Sequence, residues 1–367
     1  MNRLGPAGNA PPPSGDAQVP GPAPDPAPPG GRAGRMPLWA NPRLGLLAVL
    51  VVLIALFTSL RPTFLDTRLT LVPLQSDISV YLVVGLSQLA VLSLGHMNLA
   101  VPRVAAISAF AAGLLYDKTG APLPLDLLAG LATGAALGAL AGLLIARTGV
   151  NSFVVTLAMD FALVGLVSLL YSHFTQGVAF ARQPAGMASL GADTMADYCT
   201  GDVCGPPIPL LVPFALVALL IVGLVFRWSR IGREILMTGS NQTAAELSGI
   251  PVQARIVQAH ALSGALAAFA GFLLAAENGA FSASVGGQFL LPSFLAPVLG
   301  GTLLAGGAVS VLGTLLGAGI TQVIYKGLNL LQFQINQLQL YIGLVLLAAL
   351  SLDRARHVLA ERRGVRA

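Results

Sequence analysis

The stretch Arg227–Arg255, RWSRIGREILMTGSNQTAAELSGIPVQAR, decides how the chain is read. It is a polar island between long apolar runs. It carries Arg227, Arg230, Arg233 and Arg255, the acids Glu234 and Glu246, and the run Ala244-Ala245-Glu246-Leu247-Ser248-Gly249-Ile250. A membrane protein that places a short amphipathic helix and a glycine turn on its positively charged side offers a dock to a soluble partner. The island therefore points to one subunit of a larger machine.

The rest of the chain supplies the membrane. Apolar residues make up 55% and charged residues 10% of 367 residues, with a mean hydropathy of +0.79. Soluble domains average about 25% charged. Continuous apolar runs of this length exceed the ~10 alternating residues of a barrel strand. The expected fold is all-α: a polytopic transmembrane helical protein of about ten spans, over 44–60, 74–94, 101–117, 126–147, 152–171, 209–226, 254–277, 288–304, 308–325 and 337–352. An even number of spans places both termini on one side. With the termini inside, the large majority of the 20 Lys and Arg fall in inner segments, so both termini are expected to be cytoplasmic. Residues 1–40 form a Pro/Gly-rich tail without an apolar run, expected to be disordered and to hold no cleavable signal peptide. Residues 41–353 form the transmembrane domain and 354–367 a basic tail.

The pI near 9.6 reflects basic loops that orient the chain in the membrane lipid. No Arg/Lys cluster interleaves with aromatics, so no nucleic acid is expected as a partner. The chain has no G-x-x-x-x-G-K-[ST] loop for ATP and no zincin spacing, so it is not expected to be an enzyme or to hold a metal or cofactor itself. Its two cysteines, Cys199 and Cys204, sit in the longest expected outer loop. An oxidising exterior favours a disulfide between them, against the alternative of two unpaired thiols.

Several polar groups interrupt the apolar spans. Gly130, Gly134, Gly138 and Gly142 share one helix face and invite close helix packing. Gly95–Pro102 and Gly300–Gly307 are glycine-rich breaks. Each is open to two readings: a tight turn, or a broken helix lining a wet cavity. His96 and Asn98 favour the cavity for the first, with Gln88 nearby. Asp160 lies mid-span, where an acid binds solute, relays protons, or pairs with a base to hold helices together.

At this point several runs are similar to one family. Asn151-Ser152-Phe153-Val154-Val155-Thr156-Leu157 resembles N-P-F-[IV]-x-T-L. Ser229-Arg230-Ile231-Gly232-Arg233 with Gly239-Ser240-Asn241 and Ala244–Ile250 resembles T-x-x-G-R…G-x-N…A-A-x-L-S-G-I. Val298–Gly307 resembles V-L-G-G-T-x-L-x-G-G, and Gly327-Leu328-Asn329-Leu330-Leu331 resembles G-L-N-L-L. The family is the ribose-type permease subunits of bacterial ABC importers. The resemblance implies a multi-pass protein of the bacterial inner membrane. It implies a second permease as homo- or heterodimer partner, a cytoplasmic ABC ATPase holding ATP and Mg, and a periplasmic substrate-binding protein. It also implies an ATPase coupling loop of Arg233, Ala244, Ala245, Glu246, Ser248 and Gly249. The substrate pathway is expected to involve Gln88, His96, Asn98 and Asp160. The chain departs from the family's G-[IV]-D-L-S-V-G run at His96–Pro102, and Val164 stands where an Arg is frequent. The sparse charge of the spans suits a small neutral solute, a sugar or polyol. Branched-chain amino acids, a nucleoside, or proton-coupled transport through Asp160 are the alternatives.

Overall fold

A computed structural model describes residues 42–175, 177–199, 206–333, 340 and 343–344. The tails 1–40 and 354–367 and nearly all of the span expected over 337–352 lie outside the described residues. Twelve helices follow in order: α1 Pro42–Leu60, α2 Val72–Leu92, α3 Val101–Thr119, α4 Leu123–Thr148, α5 Ser152–Phe174, α6 Met187–Ala192, α7 Leu211–Trp228, α8 Arg230–Ser240, α9 Gln242–Leu247, α10 Val252–Glu277, α11 Leu290–Leu299 and α12 Val311–Leu330. Among the described residues there is no β-strand, only the isolated bridges Ala179–Ser282 and Thr194–Pro209. A backbone in hydrocarbon must satisfy its own hydrogen bonds, and the helix does so within one segment.

Among the described residues, six helical segments are long and apolar enough to cross a membrane: Thr67–Leu92, Leu123–Thr148, Ser152–Phe174, Leu211–Trp228, Val252–Glu277 and Val311–Leu330. They match six of the expected spans. α1 and α3 match the spans expected over 44–60 and 101–117, but α3 carries Arg103, Asp117 and Lys118. The span expected over 288–304 differs most. α11 has ten residues, which cover about 15 Å, half the hydrocarbon core. It stops where Gly301 turns left-handed with φ of 83°, so that Thr302 N–H bonds the Pro297 carbonyl at 2.9 Å and Gly301 N–H the Val298 carbonyl at 3.0 Å.

The core is built around α10, which packs on α4, α2 and α3. Within its apolar window 72% of residues are buried, against 17% for α5, so α10 is central and α5 peripheral. Lipid offers little hydrophobic drive between helices, so close packing must supply the attraction. The glycine face of α4 provides it. A Cβ on Gly138 would overlap the His260 carbonyl oxygen, and one on Gly264 would overlap that of Gly134. The two backbones therefore touch over two turns. At the rim, Phe110, Tyr171 and Phe180 form an aromatic cluster with centroids 5.0 to 5.7 Å apart.

Candidate coupling loop and buried break

The polar island folds into two short helices. Ser229 caps α8 by accepting from the Gly232 N–H at 2.9 Å, and Asn241 caps α9 by accepting from the Ala244 N–H at 2.9 Å. Gly249 closes the turn after α9 with φ of 78°. Ala245 is buried against the body, while Ala244, Glu246, Ser248 and Gly249 are exposed. Leu247 is 85% exposed, the barest large apolar side chain described. Arg233 is exposed and donates to the Trp228 carbonyl at 3.0 Å.

Glu234 anchors the island. Its two carboxylate oxygens accept from Arg230 and Arg255 Nε, each at 2.6 Å. Arg255 belongs to the first turn of α10, so this bond ties α8 to the central helix. Glu234 and Arg255 are largely enclosed, whereas Arg230 is open to solvent. Hydrogen bonds from Arg230 and then Arg255 hold the Glu234 carboxyl below the usual glutamate range.

Of the expected break Gly95–Pro102, Gly95–Ala100 is an irregular, half-buried to buried segment between α2 and α3, and Val101 and Pro102 open α3. Its backbone groups are met by side chains from α2 and α5 and by its own Asn98. Ser152 Oγ accepts from the Met97 N–H and Thr156 Oγ1 from the Leu99 N–H, both at 3.1 Å. The Gln88 amide, turned to satisfy both groups, donates to the Asn98 carbonyl at 3.0 Å and accepts from its N–H at 3.2 Å. The Asn98 side chain accepts from the Ala100 N–H and donates to Ser263 Oγ, both at 3.0 Å. His96 Nδ1 lies 3.3 Å from His260 Nε2, one ring donating to the other. Gln88 and Asn98 are thus fully enclosed and committed to the break itself, and His96 is half-buried.

The structure brings three of the four expected pathway residues together and separates the fourth. Asp160 stands on α5 beside Arg103 of α3, 3.6 Å from its Nε, with both side chains partly exposed. Of its possible readings, pairing with a base is the one this geometry displays. Cys199 is not a free thiol, and Cys204 lies outside the described residues. No cluster of three or more metal-ligating side chains occurs among the described residues.

Sequence reasoning missed the Glu234–Arg255 tie and the support from Ser152, Thr156 and Ser263. Opposite charges inside one polar island were the available signal for the first. The supporting hydroxyls carried none, because they come from distant spans. An apolar cavity of about 490 Å³ lies elsewhere, lined by Leu127, Phe214, Phe269, Phe272 and Leu273 among others. It holds none of the expected pathway residues.

Apolar spans, a polar loop tied to the central helix and buried helix breaks are the architecture of a multi-pass helical membrane protein. Residues 71–350 match the family described as "Branched-chain amino acid transport system / permease component". The chain is 31% identical over 289 residues to the "Autoinducer 2 import system permease protein LsrD" of Escherichia coli (strain SMS-3-5 / SECEC), covering 78% of this chain and 84% of that one. The proteins of the same name from Escherichia coli (strain K12) and Shigella flexneri match at the same identity and coverage. No solved structure matches. The chain belongs to this permease family: it is a membrane permease subunit of a bacterial inner-membrane ABC importer, which works with an ATPase and a binding protein.

Proposed function

We propose that the chain forms the path for a small neutral polar solute, a sugar or polyol, and is driven by a cytoplasmic ATPase seated on α8 and α9. The observation that carries the reading is Leu247. It is an exposed apolar side chain on a two-turn helix whose other face, at Ala245, is buried in the body. Solvent gives no reason to present a leucine this way, and an apolar groove on a partner does. The relatives' name, autoinducer 2 import, makes that solute the first to test. The polar groups of the break are neutral and bonded to one another, and the Arg103–Asp160 pair balances its own charge, which suits an uncharged cargo. The path is completed by a second permease, identical or similar. ATP and Mg belong to the ATPase. About ten spans with both termini cytoplasmic put α8 and α9 inside with most of the basic residues.

The test is Leu247→Asp in the complex of permease, ATPase and binding protein. The variant is expected to insert normally and to lose binding-protein-stimulated ATP hydrolysis, because a carboxylate cannot enter an apolar groove unpaired. Full stimulation would sink the docking reading. A proton-coupled mechanism through Asp160 is the competing account. Its carboxyl is already engaged with Arg103.

A further inference from the structure

The coupling loop meets the two breaks at the last turn of α8, where Ser240 packs on Gly307 and Gly239 touches both breaks. A Cβ there would overlap the Ser93 carbonyl oxygen at the end of α2, and would lie 2.8 Å from Gly307 N and 3.0 Å from Leu94 Cα. Gly306 closes the other side. A Cβ on it would lie 2.6 Å from Gly95 N and 2.9 Å from the Gly239 carbonyl oxygen. The Gly307 N–H donates to the Ser93 carbonyl at 3.0 Å. Three segments far apart in sequence thus meet backbone to backbone: the end of α2, the end of α8, and the break that follows α11.

We infer that Gly239 is a positioning residue for coupling, holding the loop against both breaks so that a push on α8 moves the two together. The inference rests on the loop being the ATPase dock. Its physical ground is stiffness. Side chains in contact absorb a displacement by changing rotamer, whereas touching backbones have no such slack, and packed contacts shift between discrete arrangements. The middle of α8 is tied by the Glu234–Arg255 bond, and a Cβ on Gly232 in its first turn would overlap the Val225 carbonyl oxygen, so the helix is also held toward its other end. Gly249 contrasts with this. A Cβ there meets nothing within 4 Å, so the turn after α9 gives α8 no comparable grip. From the node the first break leads directly to His96, Asn98 and their partners. The second leads through Gly300, whose Cβ would overlap Gly313, into α12.

The experiment uses the complex in nanodiscs, with Cys199→Ser and Cys204→Ser as background and single reporters Met97→Cys and Ala305→Cys, one in each break. Labelling by a small methanethiosulfonate is timed with and without ATP plus vanadate. Both reporters are expected to change rate in parallel, by about fivefold or more, the scale of ordinary allosteric couplings. Adding Gly239→Ala should cut both changes to within about 1.5-fold while ATP hydrolysis without binding protein persists. Gly223→Ala, whose new methyl would lie 3.9 Å from Val311 Cγ1, should change neither. If Gly239→Ala prevents assembly, the reporters in the unaltered node decide. A response in one break without the other, or in neither, overturns the inference, as does full response in an assembled Gly239→Ala complex. Loss of binding-protein stimulation in the parent complex would instead count against the docking reading beneath it.

Discussion

Replacing Asn98 by alanine tests whether the break is held by its own side chains. The substitution removes the bond to Ser263 Oγ and the bond accepted from the Ala100 N–H. Both lie where water does not reach, since Asn98 is 2% and Ser263 0% exposed. Two hydrogen bonds are worth roughly 0.5–1.5 kcal/mol each, and a stranded buried N–H costs roughly 1–3 kcal/mol. Interhelical bonds in membranes run lower, about 0.6 kcal/mol on average, because the unfolded chain also finds partners there. The Asn98–Ser263 bond is of that kind, but the bond from Ala100 is local to the break. The expected loss is therefore about 1–3 kcal/mol, dominated by the Ala100 N–H. Asn98→Asp keeps the acceptor but buries a carboxyl with no paired base, so it should lose at least as much. Thermal unfolding of the purified subunit, followed by its intrinsic fluorescence, measures both. Equal stability of Asn98→Ala and the parent, within about 0.5 kcal/mol, would refute the bracing role and leave Asn98 free for solute.

The remaining expectations follow from the same geometry. Because arginine hydrogen bonds depress the Glu234 carboxyl, its contribution is fully present above the unpaired value of 4.5 and is lost as pH falls through the lower folded value. Proteolysis of the α8–α9 loop should therefore stay constant down to about that pH and rise below it, and Glu234→Gln should flatten the profile. Asp160→Ala leaves Arg103 without its partner and should destabilise by about 1 kcal/mol, modest because the pair is partly exposed. The double variant with Arg103→Ala should recover part of that loss, and additive losses would dissolve the pair. Cys199 and Cys204 are expected to pair, so thiol reagents should reach them from outside only after a reductant is added. Ready labelling of both without reductant would remove the disulfide.

Much of the fold was legible because it is written locally. Among the described residues the long apolar runs became helices, in whole or in part, since hydrocarbon leaves the backbone few alternatives. The four-residue glycine spacing in α4 announced the contact it makes with α10. The turn at Gly249 was read in the island itself, while the caps at Ser229 and Asn241 emerged with the structure. The half-length α11 could not, because hydropathy alone does not register how a left-handed turn at Gly301 ends a helix. The site was harder still. Gln88, His96 and Asn98 were picked out for polarity in an apolar setting, yet their partners Ser263, Ser152 and Thr156 lie on other helices. The meeting of Gly239 with Ser93 and Gly306 joins three segments that no periodicity connects.

The central claim is that this permease moves its solute on ATP hydrolysed by a partner docked at α8 and α9. Uptake of labelled autoinducer 2, and of a panel of sugars and polyols, into proteoliposomes holding the permease, its ATPase and its binding protein tests this directly. The account predicts accumulation that needs ATP inside the ATPase-facing compartment, survives collapse of the proton gradient by an uncoupler, and disappears in Leu247→Asp. Accumulation that is abolished by the uncoupler and persists without ATP would contradict it.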